Sequence, residues 1–116
     1  MVGCVSYVIP PTTTDPVMCQ MPKKARKAAR RALDVLFSRE NKFGTPAGVA
    51  MAMSISAGRR VDCRKVLQFF PRWESRYRAA KKQGHDARTS AVVGAWELWG
   101  GDAARKFAAQ RVRKDT

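Results

Sequence analysis

Acidic side chains are scarce in this chain, and basic ones are absent from its start. Only nine aspartates and glutamates stand against 23 lysines and arginines, and the first basic residue is Lys23. The first twenty residues carry a single charge, Asp15, so 8 of the 9 acidic residues and all 23 basic ones fall from Met21 onward, a balance of +15. A density of one sign this high costs self-repulsion and points to a polyanionic partner: nucleic acid, a membrane surface or an acidic protein.

Histidine is nearly missing too. His85 is the only one, and no Cys-x-x-Cys accompanies it, so a tetrahedral metal site would lack ligands. It falls in the polar stretch Gln83-Gly84-His85-Asp86 and reads as a surface loop residue. The three cysteines, Cys4, Cys19 and Cys63, are odd in number and widely spaced, which predicts reduced thiols in a reducing compartment. No apolar run approaches the roughly 20 residues that a bilayer demands, so no membrane span is expected. The opening residues also lack the basic n-region of a signal peptide. There is no P-loop or dinucleotide fingerprint, because the glycines occur singly or as Gly100-Gly101.

The acidic residues Asp34, Glu40, Glu74, Asp86, Glu97 and Asp102 are scattered, and none forms an obvious carboxylate pair. Cys63 sits among arginines at a predicted helix start, where a thiol pKa falls, but no base accompanies it. The chain is therefore expected to be non-enzymatic, with no catalytic residue, cofactor, metal or small-molecule substrate.

Residues 1–20 show no sustained period of 2 or 3.6, and Pro10, Pro11, the threonine run and Asp15-Pro16 favour extended or turn geometry. They read as a disordered or extended leader ahead of a basic helical domain, 21–116. The same contrast allows Met21 to be the native start, with the upstream residues a translated leader sequence.

From Met21 the pattern is helical. Pro22 suits a first-turn position. Ala25, Ala29, Ala32, Leu33, Leu36 and Phe37 then trace one face of a first helix, whose other faces carry Lys23, Lys24, Arg26, Lys27, Arg30 and Arg31. Such a face suits a phosphate backbone or an anionic lipid surface, but the Ala-rich apolar side, without tryptophan, favours core packing over membrane insertion.

Thr45-Pro46 provides an N-cap and an N1 proline for a second helix, read as central and buried, which Gly58 ends. Asp62 caps a third helix, which Pro71 is expected to kink or split. Ser90 caps a fourth helix with Val92, Ala95, Trp96 and Trp99 on one face. Gly100-Gly101 stops it, and Asp102 is placed to cap the last. Trp96, Trp99 and Phe107 are expected to form the main aromatic anchor. Trp99 could instead stack on an unpaired base, but helical spacing accounts for all three rings. With no strand-like segment and no repeat, the fold class is all-α: a compact bundle of four or five short helices.

The connector Ala57 to Asp62 has the length of a helix-turn-helix corner, with Arg59 and Arg60 inside it and Arg64 and Lys65 opening the next helix. The spacing of apolar residues after the glycine is only partly that of a base-reading motif, since Arg64 stands at one of the two positions. Unspecific phosphate contact through Lys23, Lys24, Arg26, Lys27, Arg30, Arg31, Arg59, Arg60, Arg64 and Lys65 is the preferred reading.

Three segments carry a resemblance. They are Gly44-Thr45-Pro46-Ala47-Gly48-Val49-Ala50-Met51-Ala52, then Val66 to Glu74 with its Phe69-Phe70 pair, then Trp96-Glu97-Leu98-Trp99-Gly100-Gly101-Asp102 with Phe107. Together they resemble a small module encoded by tailed bacteriophages, over roughly Ala28 to Ala109, with Phe107 standing where that pattern often has tryptophan. The resemblance carries no activity with it. It implies a phage setting, in the virion or the host cytoplasm, and in that setting the basic faces read above lead to the expectation of a protein that binds nucleic acid, DNA above all. The alternatives are a virion structural or assembly component (connector, plug or decoration protein) meeting acidic capsid or portal surfaces, and a small inhibitor of a host nucleic-acid enzyme.

Overall fold

The computed structural model describes residues 17–38 and 44–115. The leader through residue 16, with Cys4, lies outside them, as do Glu40 and most of the loop expected between the first two helices. In order, the elements are β1 (Met18–Gln20), α1 (Lys23–Ser38), α2 (Pro46–Ser56), β2 (Arg60–Asp62), α3 (Cys63–Lys82), α4 (Ala91–Leu98) and α5 (Gly101–Asp115). Five short helices thus build the expected bundle.

Local chemistry explains three of the five helix starts. The Gly48 N–H donates to the Thr45 hydroxyl (3.1 Å), the Arg64 N–H to Asp62 Oδ1 (3.0 Å) and the Val93 N–H to the Ser90 hydroxyl (3.4 Å). Each side chain satisfies an N–H that the first helical turn leaves open. Pro22 lies just ahead of α1 rather than inside it, and its carbonyl accepts from the Arg26 N–H. Pro71 does not split α3, which runs unbroken for 20 residues. It sits on the exposed side, where water can serve the carbonyl that its missing N–H leaves open.

The helices pack around α4. It lies between α1 and α3 and also meets α2 and α5. Eight residues long and apolar almost all round, it buries Val93, Gly94, Trp96 and Leu98. The expected central helix, α2, is instead peripheral: it buries only Gly48, Ala52 and Ile55 and leaves Met53 55% exposed. Phe37 also departs from expectation, being 64% exposed at the end of α1. Alanines on α1 have a steric role as well as a helical one. Ala25 and Ala28 present only methyl groups, so α1 comes close to the backbone at Gly100 and Gly101, where α5 begins.

Two corrections concern the start of the chain. The described fold takes in residues from Val17, ahead of the expected start near Met21, because β1 pairs antiparallel with β2 in the register Met18–Asp62, Cys19–Val61 and Gln20–Arg60. Val17, Cys19 and Met21 are all buried, and the Val17 carbonyl accepts from the Cys63 N–H at 2.8 Å. No strand was expected, since three residues of mixed polarity give no readable alternation. The cysteines are the second correction: Cys19 and Cys63 are joined as a disulfide rather than held as thiols, with Cα atoms 6.0 Å apart. Cys63 is accordingly neither a free thiol nor a nucleophile.

The aromatic anchor is larger than expected and differently composed. Trp96, fully buried, stacks on Tyr77 (4.1 Å between centroids, 7° between planes) and meets Phe70 edge-on at 4.7 Å. Trp99 stacks on Phe69 at 4.9 Å. Among the described residues Phe107 makes no ring contact with either tryptophan and packs, half-buried, against the wider core. The anchor therefore joins α4 to α3, because Phe69, Phe70 and Tyr77 all project from α3 toward the central helix.

Candidate nucleic-acid interface

The ten basic residues singled out in the sequence divide between two surfaces. Lys23, Lys24, Lys27, Arg30 and Arg31 are exposed along α1, whose apolar face is committed to the core. Arg26 leans off this stripe, half-buried, with one guanidinium nitrogen 3.2 Å from where a Cβ on Gly58 would lie. Gln20 reaches the same turn and donates to the Gly58 carbonyl at 2.7 Å. Arg26 thereby connects the α1 stripe to the exposed Arg59 and Arg60, which flank that turn.

Arg64 and Lys65 belong elsewhere. Arg64 is half-buried at the start of α3, and Lys65 opens onto a groove between α3 and α4. The helix-turn-helix reading does not survive this geometry. The expected turn contains a strand that β1 and the disulfide hold in place, and α2 packs on α1 and α4 while α3 packs on α4 and α5.

The α3–α4 groove has a volume of about 710 Å³. Phe69, Trp73 and Trp99 supply its aromatic lining, and Lys65, Arg72 and Arg76 its positive charge. Lys65, Arg72 and Arg76 stand 7 and 4 residues apart, which places all three within an arc of about 40° on α3 and along about 17 Å of it. Trp73 is 36% exposed, and the Arg76 guanidinium lies 5.4 Å from its ring centroid. Sequence reading singled out Lys65 but did not gather Arg72 and Arg76 with it into a site. The groove exists only because α4 docks there.

Two of the described acidic residues lie among the basic ones, Asp34 exposed one turn after Arg30 on α1 and Asp62 as the cap ahead of Arg64, while Glu74, Asp86 and Asp102 stand elsewhere. Glu74 accepts from Arg105 at 2.9 Å and lies 3.7 Å from Arg78, which in turn approaches Asp102 at 3.5 Å. These four charges border the aromatic anchor, with Arg78 and Arg105 within 6 Å of the Trp96 ring centroid. The Arg105 hydrogen bond holds the Glu74 carboxyl below its usual range. Burial pushes Glu97 up, against the opposing pull of Arg31 and Lys81. Asp86 is held low by the backbone N–H of Arg88. Its loop includes His85, whose Nδ1 is 3.1 Å from the Thr89 hydroxyl. Asp102 lies in the first turn of α5 rather than at its N-cap.

Among the described residues no group of three or more His, Cys, Asp or Glu side chains is arranged to hold a metal ion, and no helix is long and apolar enough to cross a membrane. Comparison of the chain with protein-family models, with curated proteins and with solved structures finds no match.

Proposed function

We propose that this protein is a non-enzymatic nucleic-acid-binding protein that grips its partner mainly through phosphates. The observation that carries this reading is the state of the α1 cations. Lys23, Lys24, Lys27 and Arg30 are exposed and form no ion pair among the described residues, whereas the salt bridges there engage Arg78 and Arg105 with Glu74 and Asp102. A row of unneutralised cations on a rigid helix suits regularly spaced phosphates, and binding would release the counterions condensed on them.

An anionic membrane is a poorer fit for the same charges. Ala25, Ala29, Ala32, Leu33 and Leu36 are buried in the bundle, so α1 has no apolar face to insert between lipids. By its resemblance to the phage module, the proposal extends to phage DNA as the partner, met in the virion or the host cytoplasm.

The test is binding to a labelled duplex across a salt series, comparing the wild-type chain with one carrying Lys23→Gln, Lys24→Gln, Lys27→Gln and Arg30→Gln together. The log–log salt slope should fall by about 0.9 for each phosphate that the variant no longer neutralises. An unchanged slope would remove α1 from the interface. Equal displacement by poly-glutamate would move the charge to an acidic protein partner.

A further inference from the structure

The α3–α4 groove differs from the α1 surface in kind as well as place. The α1 stripe offers charge alone, whereas the groove sets three cations beside aromatic rings, and among the described residues no acidic one lines it. We infer that this groove seats a single strand of nucleic acid, with unpaired bases against Trp73 and the Phe69–Trp99 wall and its phosphates along Lys65, Arg72 and Arg76.

The inference rests on the nucleic-acid reading above and makes it more specific. Aromatic faces stack on any base, and a cationic track beside them follows the backbone, the combination by which single strands are held without sequence preference. A duplex keeps its bases stacked inside and would use only the cations. The geometry suits the open form. Lys65, Arg72 and Arg76 run in one line down α3, while Phe69 and Trp73, four residues apart, stand together beside that line. Trp99 is fixed behind them by its stacking on Phe69, and its indole Nε1 lies 3.2 Å from where a Cβ on Gly48 would be, so the start of α2 backs the wall. The Arg76 guanidinium already lies by the Trp73 ring, and a base arriving there would meet a stacking surface and a cation together. α4 separates this groove from α1, so the two surfaces can bear on different stretches of one polymer.

The experiment uses the full chain with three labelled probes: oligothymidylate, an abasic oligonucleotide of the same length, and a duplex. Trp73 is a surface residue, so Trp73→Ala should keep the fold, which an unchanged melting temperature verifies. The wild type should prefer oligothymidylate to the abasic strand. Trp73→Ala should weaken oligothymidylate binding roughly 5- to 100-fold, the range for loss of one stacking platform, and leave abasic binding unchanged. A double variant, Arg72→Gln with Arg76→Gln, should weaken both single strands. Equal wild-type affinity for oligothymidylate and the abasic strand would overturn the groove, as would full affinity for oligothymidylate in Trp73→Ala. In either case salt-dependent duplex binding would leave the phosphate-binding reading standing. Failure of the wild type to bind any probe at low salt would overturn both.

Discussion

The indole N–H of Trp96 donates to Asp102 Oδ1 at 3.0 Å, tying the last turn of α4 to the first turn of α5 across two glycines. Trp96 is fully buried, but the Asp102 side chain that accepts from it is 56% exposed, so water can partly take its place once the carboxylate is removed. Asp102→Ala should therefore destabilise the protein by about 1–2 kcal/mol, the cost of a donor that water serves only in part. Asp102→Asn keeps an acceptor oxygen and should cost less than about 1 kcal/mol. Urea unfolding of the two variants separates these outcomes, and equal losses would assign the effect to charge rather than to the indole.

The two glycines between them should respond differently to alanine. Both have positive φ, 98° at Gly100 and 69° at Gly101. A methyl group on Gly100 would overlap the Ala104 side chain, whereas one on Gly101 would meet Ala28 at an ordinary 3.5 Å. Gly101→Ala should cost about 1–2 kcal/mol, the backbone penalty alone. Gly100→Ala adds overpacking and should cost about 3 kcal/mol or more. Thermal melting of the pair checks the order.

The Cys19–Cys63 bond closes a loop between residues 44 apart. By the chain-entropy estimate, a loop of that length stabilises by about 4 kcal/mol. Reductant, or the Cys19→Ser variant, should lower the urea midpoint accordingly. An oxidised and a reduced sample with the same midpoint would show that the strand pairing suffices without it.

Two glutamates should shift the pH dependence of stability in opposite senses. Glu74 is held below its ordinary value of 4.5, so its contribution is present above that value and is lost as pH falls through the lowered one. Glu74→Gln should therefore lower the melting temperature at neutral pH and make little difference in strong acid. Glu97 is raised above 4.5 by burial, so the fold favours its neutral form and loses that contribution as pH rises through the raised value. Glu97→Gln should raise the melting temperature at neutral pH and have little effect near pH 4. Melting curves of both variants between pH 3 and 8 test the signs together.

What the sequence disclosed and what it hid divide along the reach of the interactions. Thr45, Asp62 and Ser90 were readable as caps because each bonds a backbone N–H two or three residues away. The α1 cations were readable because helical periodicity separates them from the buried alanines. β1 was not, since Met18-Cys19-Gln20 is a strand only by virtue of a partner some forty residues on. The disulfide was hidden for the same reason. Helical spacing made Phe107 look equivalent to Trp96 and Trp99, but only the docking of α3 decides which rings meet. The α3–α4 groove has a local signal, three cations at steps of 7 and 4. Its aromatic wall draws on a second helix, and no local pattern reports that.

The β1–β2 pair sets a limit on how this protein can be shortened. Cutting the chain to begin at Met21 removes one strand and half of a covalent link, and it uncovers Val61 and Cys63, both buried in the intact fold. β2 would then offer unpaired backbone groups and a free thiol at the same edge, a surface prone to adding a strand from another molecule. A trimmed version should therefore self-associate, and cross-link through Cys63 on oxidation, so binding measured on it would report aggregates as well as the monomer.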